Sequence, residues 1–287
     1  MEISISDFSK EFITNLLRGN SFDERIIVAL IETLGNKFMR EIFRNSLLKA
    51  LNEGQERVSD KFLQFGDEFW IEKEVIPWEL EDFVSEKKRK ELEIYPILFI
   101  HPMQPDIDIL FGPEVNGERL TPLMAVEVKL FKGIEKGKRP KARGRGFYEG
   151  MGEAIALLTY GVDFVELWHF FFIPLIKEIP PHLPPEVEKE VEKKLSKKLE
   201  KNKWRIIDAG TYAGFVRGLI ESLDLPLGYR CFAISMEEDG KIWLHEDVGS
   251  NVLPKENPFL VKRSEAALKI RSLIKEALNV KEGNNGR

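Results

Sequence analysis

The sequence predicts an α/β protein in which helices flank both sides of a mixed central sheet. Strand-length apolar segments alternate with helical segments along the 287 residues, an order typical of α/β and α+β folds. Two apolar strands, joined by a polar turn marked with glycine and proline, lie near the middle of the chain. The segment 163–176 is apolar enough to be a buried strand that is covered on both faces.

The first part of the chain is predicted to be helical and is followed by a strand. Residues 23–53 follow a helical pattern that Gly35 and Asn36 divide in two, and Gly54 stands where a C-cap glycine belongs. Residues 69–76 alternate apolar and charged side chains, which indicates a strand with one face in water.

The second half of the chain continues to alternate helix and strand. Helices are predicted over 147–161, 186–203, 211–223 and 264–279, and strands over 163–176, 228–236 and 241–246. The helix 186–203 is a charged arm with a narrow apolar stripe, which is typical of a solvated helix with one docking edge. The last helix begins with a Ser-Glu cap, and residues 280–287 are expected to fray.

These elements form three consecutive parts that we expect to belong to one domain. Residues 1–60 are a helical segment packed on a core, and residues 61–178 are the core itself. Residues 179–287 add the charged arm, a further helix, two strands and a C-terminal helix.

Composition narrows the class of protein. Hydrophobic residues are 43% and charged residues 32% of the chain, no apolar segment is long enough to span a bilayer, and the N-terminal residues do not resemble a signal peptide. The single cysteine, Cys231, excludes an internal disulfide and a cysteine-based zinc site and suits the cytoplasm. The net charge of -5 argues against a general polyanion binder, and the many Glu and Lys residues are a weak signal of a thermophile.

Four charged side chains interrupt the two central strands, which lie in the stretch 105–131. Asp106 and Asp108 are on the first strand, and Glu127 and Lys129 are on the second. A charge within an apolar strand costs free energy unless another group compensates it. Three carboxylates close together repel one another, and a divalent cation is the usual remedy. The segment before Glu127 is apolar on both faces, which favours an interior strand over a hairpin whose charges face water.

Side-chain alternation predicts how these charges are distributed. Asp106 and Asp108 share one face of their strand, while Ile107 and the alternate apolar residues after it share the other. Glu127 and Lys129 likewise face away from the alternate apolar residues of the second strand. Register decides which aspartate reaches Glu127, and the sequence leaves this choice open, with a preference for Asp106 because Pro105 precedes it.

The motif Pro105-Asp106 followed by Glu127-Val128-Lys129 resembles the signature of the PD-(D/E)XK nuclease superfamily. In that family the aspartate lies on one strand of a hairpin and the acid-X-lysine on the next. A helix that often carries Gln or Glu follows, and then another strand. The resemblance implies a restriction-endonuclease-like core, a mixed central sheet flanked by helices, with extra N- and C-terminal helices.

Helical residues extend the implied site. The segment "GMGEA" resembles the "GxGQA" form of the family's helix, with Glu153 at the glutamine position, a departure that leaves its role open. Family members often add a glutamate from the first helix, for which Glu32 and Glu41 are candidates. The four histidines show no metal-ligand spacing, and His169, in an apolar strand, is expected to be a core residue.

The resemblance implies a metal-dependent nuclease that hydrolyses phosphodiester bonds, with DNA favoured over RNA. Asp106 or Asp108, with Glu127, would hold Mg²⁺ or Mn²⁺ through hard oxygen ligands. Lys129 would orient or activate a water molecule and stabilise charge on the phosphate. The alternative is a non-catalytic member of the same fold that binds nucleic acid or scaffolds a complex.

A basic segment connects the strand of Lys129 to the helix of Glu153. Between residues 132 and 145 it has a single acid, Glu135, and seven basic residues: Lys132, Lys136, Lys138, Arg139, Lys141, Arg143 and Arg145. Its position beside the carboxylates predicts a clamp on the phosphate backbone rather than an idle solvated turn. The expected partner is nucleic acid and not a membrane, and a homodimer or a protein partner stays open.

Overall fold

A mixed sheet with helices against both faces forms the centre of the protein. The structure is a computed structural model that describes residues 27–28, 31, 35–44, 46, 68–92, 105–132, 134–135, 150–174, 204–205, 209–236 and 242–283. The strands in these ranges are β1 (Phe69–Val75), β2 (Ile107–Val115), β3 (Glu118–Arg119), β4 (Met124–Lys132), β5 (Ile134–Glu135), β6 (Phe164–Pro174), β7 (Trp204–Arg205), β8 (Leu227–Met236) and β9 (Ile242–Glu246). All but β5 and β7, which pair with each other, belong to the central sheet.

Six helices have described bounds, and the described residues 27–28, 31 and 46 are also helical. The six are α1 (residues 35–44), α2 (Glu86–Leu92), α3 (Met151–Leu157), α4 (Ala209–Ser222), α5 (Pro258–Val261) and α6 (Glu265–Ala277). None of the helices in this part of the chain is long and apolar enough to cross a membrane. The predicted α/β class, with a mixed sheet flanked by helices, is confirmed.

The strand order in the sheet is β1-β2-β4-β6-β8-β9, with β3 paired to β2. The β1-β2-β4 part is antiparallel, β4, β6 and β8 are parallel to one another, and β9 returns antiparallel to β8. The chain passes from β4 to β6 through α3 and from β6 to β8 through α4. The apolar sequences of β4, β6 and β8 fit this arrangement, because parallel strands in the middle of a sheet are buried on both faces.

Two apolar clusters cover the two faces of the sheet. On one face, α1 packs on side chains of β2, β4, β6 and β8 through Phe38, Met39, Ile42 and Phe43. On the other face, α3, α4 and α6 pack on the alternate side chains of the same strands. We call these the α1 face and the α3 face.

A buried ion network lies on the α1 face. Arg230 of β8 donates to both oxygens of Glu166 on β6, with Nε 2.7 Å from Oε2 and Nη2 3.2 Å from Oε1. Nη1 donates to Glu246 of β9 at 2.8 Å, and Nη2 also contacts the hydroxyl of Ser46. The indole of Trp168 donates to Glu166 at 2.6 Å. Burial opposes the charge of Arg230, but the two carboxylates outweigh burial and raise its pKa.

The basic segment, the cap of the last helix and the C-terminal residues differ from the predictions. Within the basic segment, Ile134 and Glu135 form β5, which pairs with Trp204 and Arg205 of β7. Ser264 begins α6, but its side chain makes no capping hydrogen bond.

The residues 280–283 are docked rather than frayed. The amide of Thr121 donates to the carbonyl of Lys281, and the amide of Gly283 donates to the Thr121 hydroxyl, each at 3.0 Å. The charged arm 186–203 lies outside the described residues.

Candidate active site

The strands β2 and β4 separate where the charged residues lie. Their main-chain pairing ends at Ile109, which is opposite Val126. Beyond this pair, the amide of Val128 donates to the side chain of Asp108, whose Oδ2 is 2.6 Å from the nitrogen. The Asp108 carboxylate therefore stands between the two strands, in the place that a strand carbonyl would occupy in a continuous ladder.

Asp108 also marks a break in side-chain alternation along β2. Ile109 packs on the α1 face, whereas Ile107 packs on the α3 face. The prediction that these two isoleucines share a face is therefore wrong. Across the strand pair, Glu74 of β1 has a φ of +49° and lies between two residues that pair with β2. An irregularity of this kind rotates a strand locally, so the faces of Asp106 and Asp108 do not follow from simple alternation.

Lys129 lies between two carboxylates on the α3 face. Its Nζ is 2.5 Å from Oε1 of Glu127 and 2.8 Å from Oε2 of Glu153. Glu127 and Lys129 come from β4, and Glu153 comes from the first turn of α3. Val126 and Val128 pack on the α1 face, so the predicted facing of the second strand is confirmed. The structure thus brings the acid-X-lysine motif and Glu153 together.

The surroundings of the buried Glu127 carboxyl favour its protonated form. Its residue is 3% exposed, and burial, followed by the charge of Asp108, raises its pKa to about 10 although Lys129 opposes the shift. For Glu153, burial acts to raise the pKa, but hydrogen bonds with Glu127 and Lys129 outweigh it and lower the pKa. The two pKa values therefore shift in opposite directions, and Glu127 is the carboxyl of this pair that holds a proton more readily.

Tyr160 fixes the chain just before Asp106. Its buried hydroxyl donates to the carbonyl oxygen of Pro105 at 2.7 Å. Burial, and then the charge of Asp106, raise the pKa of Tyr160. Asp106 itself is exposed. The charge of Asp108 acts on Glu127, whereas the charge of Asp106 acts on Tyr160, which favours Asp108 as the partner of Glu127.

His169 is the neighbour of Lys129 on the adjacent strand β6. The two residues are opposite each other in the parallel pairing of β4 and β6. His169 is fully buried, its Nδ1 is 3.2 Å from the hydroxyl oxygen of Tyr229, and the rings of Phe131 and Tyr212 pack against it. The prediction that His169 is a core residue is confirmed.

Comparisons with protein-family models, with curated proteins and with solved structures found no match to this chain. Any function must therefore be argued from the residues of the cluster and their arrangement.

Asp108 and Glu127 carry carboxyl oxygens, the type of ligand that a divalent cation prefers. Within the described ranges, no group of three or more His, Cys, Asp or Glu side chains is arranged to hold a metal ion. Two carboxylates still match Mg²⁺, which keeps several water molecules and takes further oxygens from substrate phosphates. Binding would require Glu127 to release its proton, so metal affinity would rise with pH.

The other predicted site residues lie on the opposite face of the sheet, at the end of β4, or outside the described part of the chain. The helix α1, which carries Glu41, packs on the opposite face of the sheet from Glu127. Glu32 lies outside the described residues. Lys132 is the last residue of β4. The rest of the basic segment, Lys136, Lys138, Arg139, Lys141, Arg143 and Arg145, also lies outside the described part of the chain.

Proposed function

We propose that the protein is a metal-dependent nuclease that hydrolyses phosphodiester bonds, with DNA as the favoured substrate. The observation that carries the proposal is the position of Lys129 between Glu127 and Glu153, where β2 and β4 separate around Asp108. Charged groups gathered at an opening in an otherwise apolar sheet are typical of a functional site. The order of α1, β1, β2, β4, α3 and β6 also agrees with the PD-(D/E)XK arrangement of a helix, a hairpin, a helix and a strand.

Asp108 and Glu127 would hold Mg²⁺ or Mn²⁺, with Asp106 as the alternative ligand to Asp108. When bound, the metal supplies an acidified water molecule and neutralises charge on the phosphate. Lys129 orients the attacking water and stabilises the charge that develops on the phosphate oxygens. Glu153 contacts the Lys129 ammonium at 2.8 Å and, together with Glu127, fixes its position.

The basic segment supports a polyanionic substrate. It follows β4, the strand of Lys129, and precedes Gly150, which borders the Lys129 side chain. Positive side chains next to a hydrolytic site would replace the counterions of a nucleic-acid backbone and position it.

A cleavage panel tests this proposal. Single-stranded, duplex, flapped and branched DNA, with matching RNA, are incubated with Mg²⁺ or Mn²⁺ and the parent, Glu127→Gln or Lys129→Met protein. Methionine keeps much of the lysine stem and removes the charge, so cleavage should fall by about 100-fold or more. Lys73→Met, at an exposed lysine of β1, is the matched control. Equal cleavage in the parent and both site variants would contradict the proposal, as would a parent that cleaves nothing.

A non-catalytic nucleic-acid-binding or scaffolding role is the second candidate. It is favoured by the ion pairs of Lys129 with Glu127 and Glu153, because the charged groups of the cluster already contact one another. This role predicts binding of nucleic acid without divalent-dependent cleavage of any substrate in the panel.

A further inference from the structure

Gly150 leaves space for the side chain of Lys129. A Cβ atom on Gly150 would be 2.7 Å from Cγ and 3.1 Å from Cε of Lys129, and 2.9 Å from Cδ1 of Leu167. Carbon atoms that are not bonded to each other do not approach this closely without displacement. Gly150 also has a φ of +78°, and its carbonyl accepts the first helical hydrogen bond, from Ala154, at 2.8 Å.

We propose that Gly150 is a positioning residue, whose missing side chain forms the slot that directs Lys129 between Glu127 and Glu153. The backbone of Lys129 is fixed by β4, and Leu167 of β6 lines the slot on the sheet side. The start of α3 closes the other side. A side chain at position 150 would fill the slot and move the lysine stem, and the ammonium would lose at least one carboxylate.

The catalytic consequence rests on the proposed nuclease function, whereas the placement of Lys129 does not. Misplacement of a reacting group by about 1 Å lowers a rate by roughly 100-fold. Gly150→Ala should therefore lower kcat by about that factor. KM for the nucleic acid should change little, because the basic segment is untouched.

Two further variants distinguish the effect of filling the slot from the effect of backbone strain. Gly117 has a φ of +75°, and nothing lies within 4 Å of the place its Cβ would take. Gly117→Ala therefore carries the same left-handed strain without touching Lys129, and we expect it to leave kcat unchanged. Gly150→Asn tolerates the left-handed conformation better than alanine but still places a Cβ against the lysine stem.

Amine acylation read by peptide mass spectrometry reports the position of Lys129 without any assay of cleavage. The Lys129 side chain is 12% exposed and ion-paired, so it should react slowly in the parent and in Gly117→Ala. Gly150→Ala and Gly150→Asn should raise its labelling several-fold relative to the exposed Lys73. If Gly150→Ala fails to fold, Gly150→Asn decides by the same comparison.

Unchanged labelling of Lys129 in the folded Gly150 variants would overturn the inference. So would raised labelling with an unchanged kcat in a protein whose parent cleaves nucleic acid. Raised labelling in a protein whose parent cleaves nothing would refute the nuclease function and support the placement of Lys129 by Gly150.

Discussion

The amide nitrogen of Val128 lies 2.6 Å from Oδ2 of Asp108, so a side chain spans the gap that opens between β2 and β4. The same carboxylate contributes to the raised pKa of Glu127. Asp108 therefore has two separable roles, as an acceptor for a strand amide and as a negative charge beside a second acid.

Two substitutions of Asp108 should separate these roles. Asp108→Asn keeps an oxygen for the Val128 amide and removes the charge, whereas Asp108→Ala removes both. We expect Asp108→Ala to lower the free energy of unfolding by about 1–3 kcal/mol, and Asp108→Asn to lower it less. Urea denaturation measures the difference. Both should weaken Mn²⁺ binding more than Asp106→Asn does, and the reverse order would make Asp106 the ligand.

Glu127→Gln should weaken binding of Mn²⁺ by about 100-fold or more, because a neutral amide lacks the charge that a hard cation needs. Isothermal calorimetry on metal-free protein gives the affinities. Glu114→Gln, near the other end of β2, is the control and should bind as the parent does. Equal affinity for Mn²⁺ in Glu127→Gln and the parent would show that Glu127 is not a metal ligand.

The raised pKa of Glu127 predicts how stability depends on pH. Between pH 4.5, the ordinary pKa of glutamate, and about pH 10, the folded protein keeps a proton on this carboxyl, whereas the unfolded chain loses it. The contribution of Glu127 to the free energy of unfolding is thus complete below pH 4.5. It is lost as the pH rises towards 10, by up to about 1.4 kcal/mol per pH unit. The lowered pKa of Glu153 acts in the other direction, so its contribution is present above 4.5 and lost in acid.

Glu127→Gln should therefore gain stability over the metal-free parent as pH increases through neutrality. Urea denaturation of both proteins at several pH values shows the difference, and all other titrating groups are common to the two. A difference that does not grow with pH would mean that Glu127 is ionised in the folded protein.

Tyr160→Phe should remove the hydrogen bond to the Pro105 carbonyl and leave a buried oxygen without its donor. The expected cost is about 1–3 kcal/mol of unfolding free energy. If Asp106 takes part in catalysis, kcat should also fall at temperatures where the variant is fully folded. Thermal denaturation and cleavage assays on the same preparation distinguish the two effects, and an unchanged kcat would assign Tyr160 to stability alone.

The basic segment should control the salt dependence of nucleic-acid binding. Changing Lys138, Arg139, Lys141 and Arg143 to Ala should weaken binding to every sequence. Each lost phosphate contact should flatten the plot of log affinity against log salt by about 0.9 for duplex DNA. Binding is measured at several salt concentrations with Ca²⁺ in place of Mg²⁺. The same slope in variant and parent would show that these side chains do not contact the backbone.

The sequence predicts the sheet well because its central strands have strong local signals. The apolar runs of β6 and β8 and the charges on one face of β4 are visible in a few consecutive residues, and their pairing partners follow from chain order. Contacts between distant residues carry no such signal. The docking of residues 280–283 on Thr121 and the hydrogen bond from Tyr160 to Pro105 join polar groups that are far apart in the chain.

The site is predicted only in part, because some of its features have local signals and others depend on contacts between distant residues. The spacing of Glu127 and Lys129 places both on one face of β4, which holds in the structure. The position of Asp108 depends instead on irregular pairing near Glu74, a residue with a positive φ that no local rule for glutamate predicts. The space left by Gly150 depends on where the Lys129 side chain lies, so the glycine alone could not reveal it.

The partners of Arg230 determine when the chain can finish folding during its synthesis. Ser46, Glu166 and Glu246 come from widely separated parts of the chain, and the last of them is in β9. A nascent chain that ends before β9 would lack Glu246, so Nη1 of Arg230 would have no carboxylate acceptor. A buried donor that is left unsatisfied costs about 1–3 kcal/mol. We therefore expect the sheet to complete its folding only after translation has passed β9, with slow, cooperative kinetics that reflect its long-range contacts.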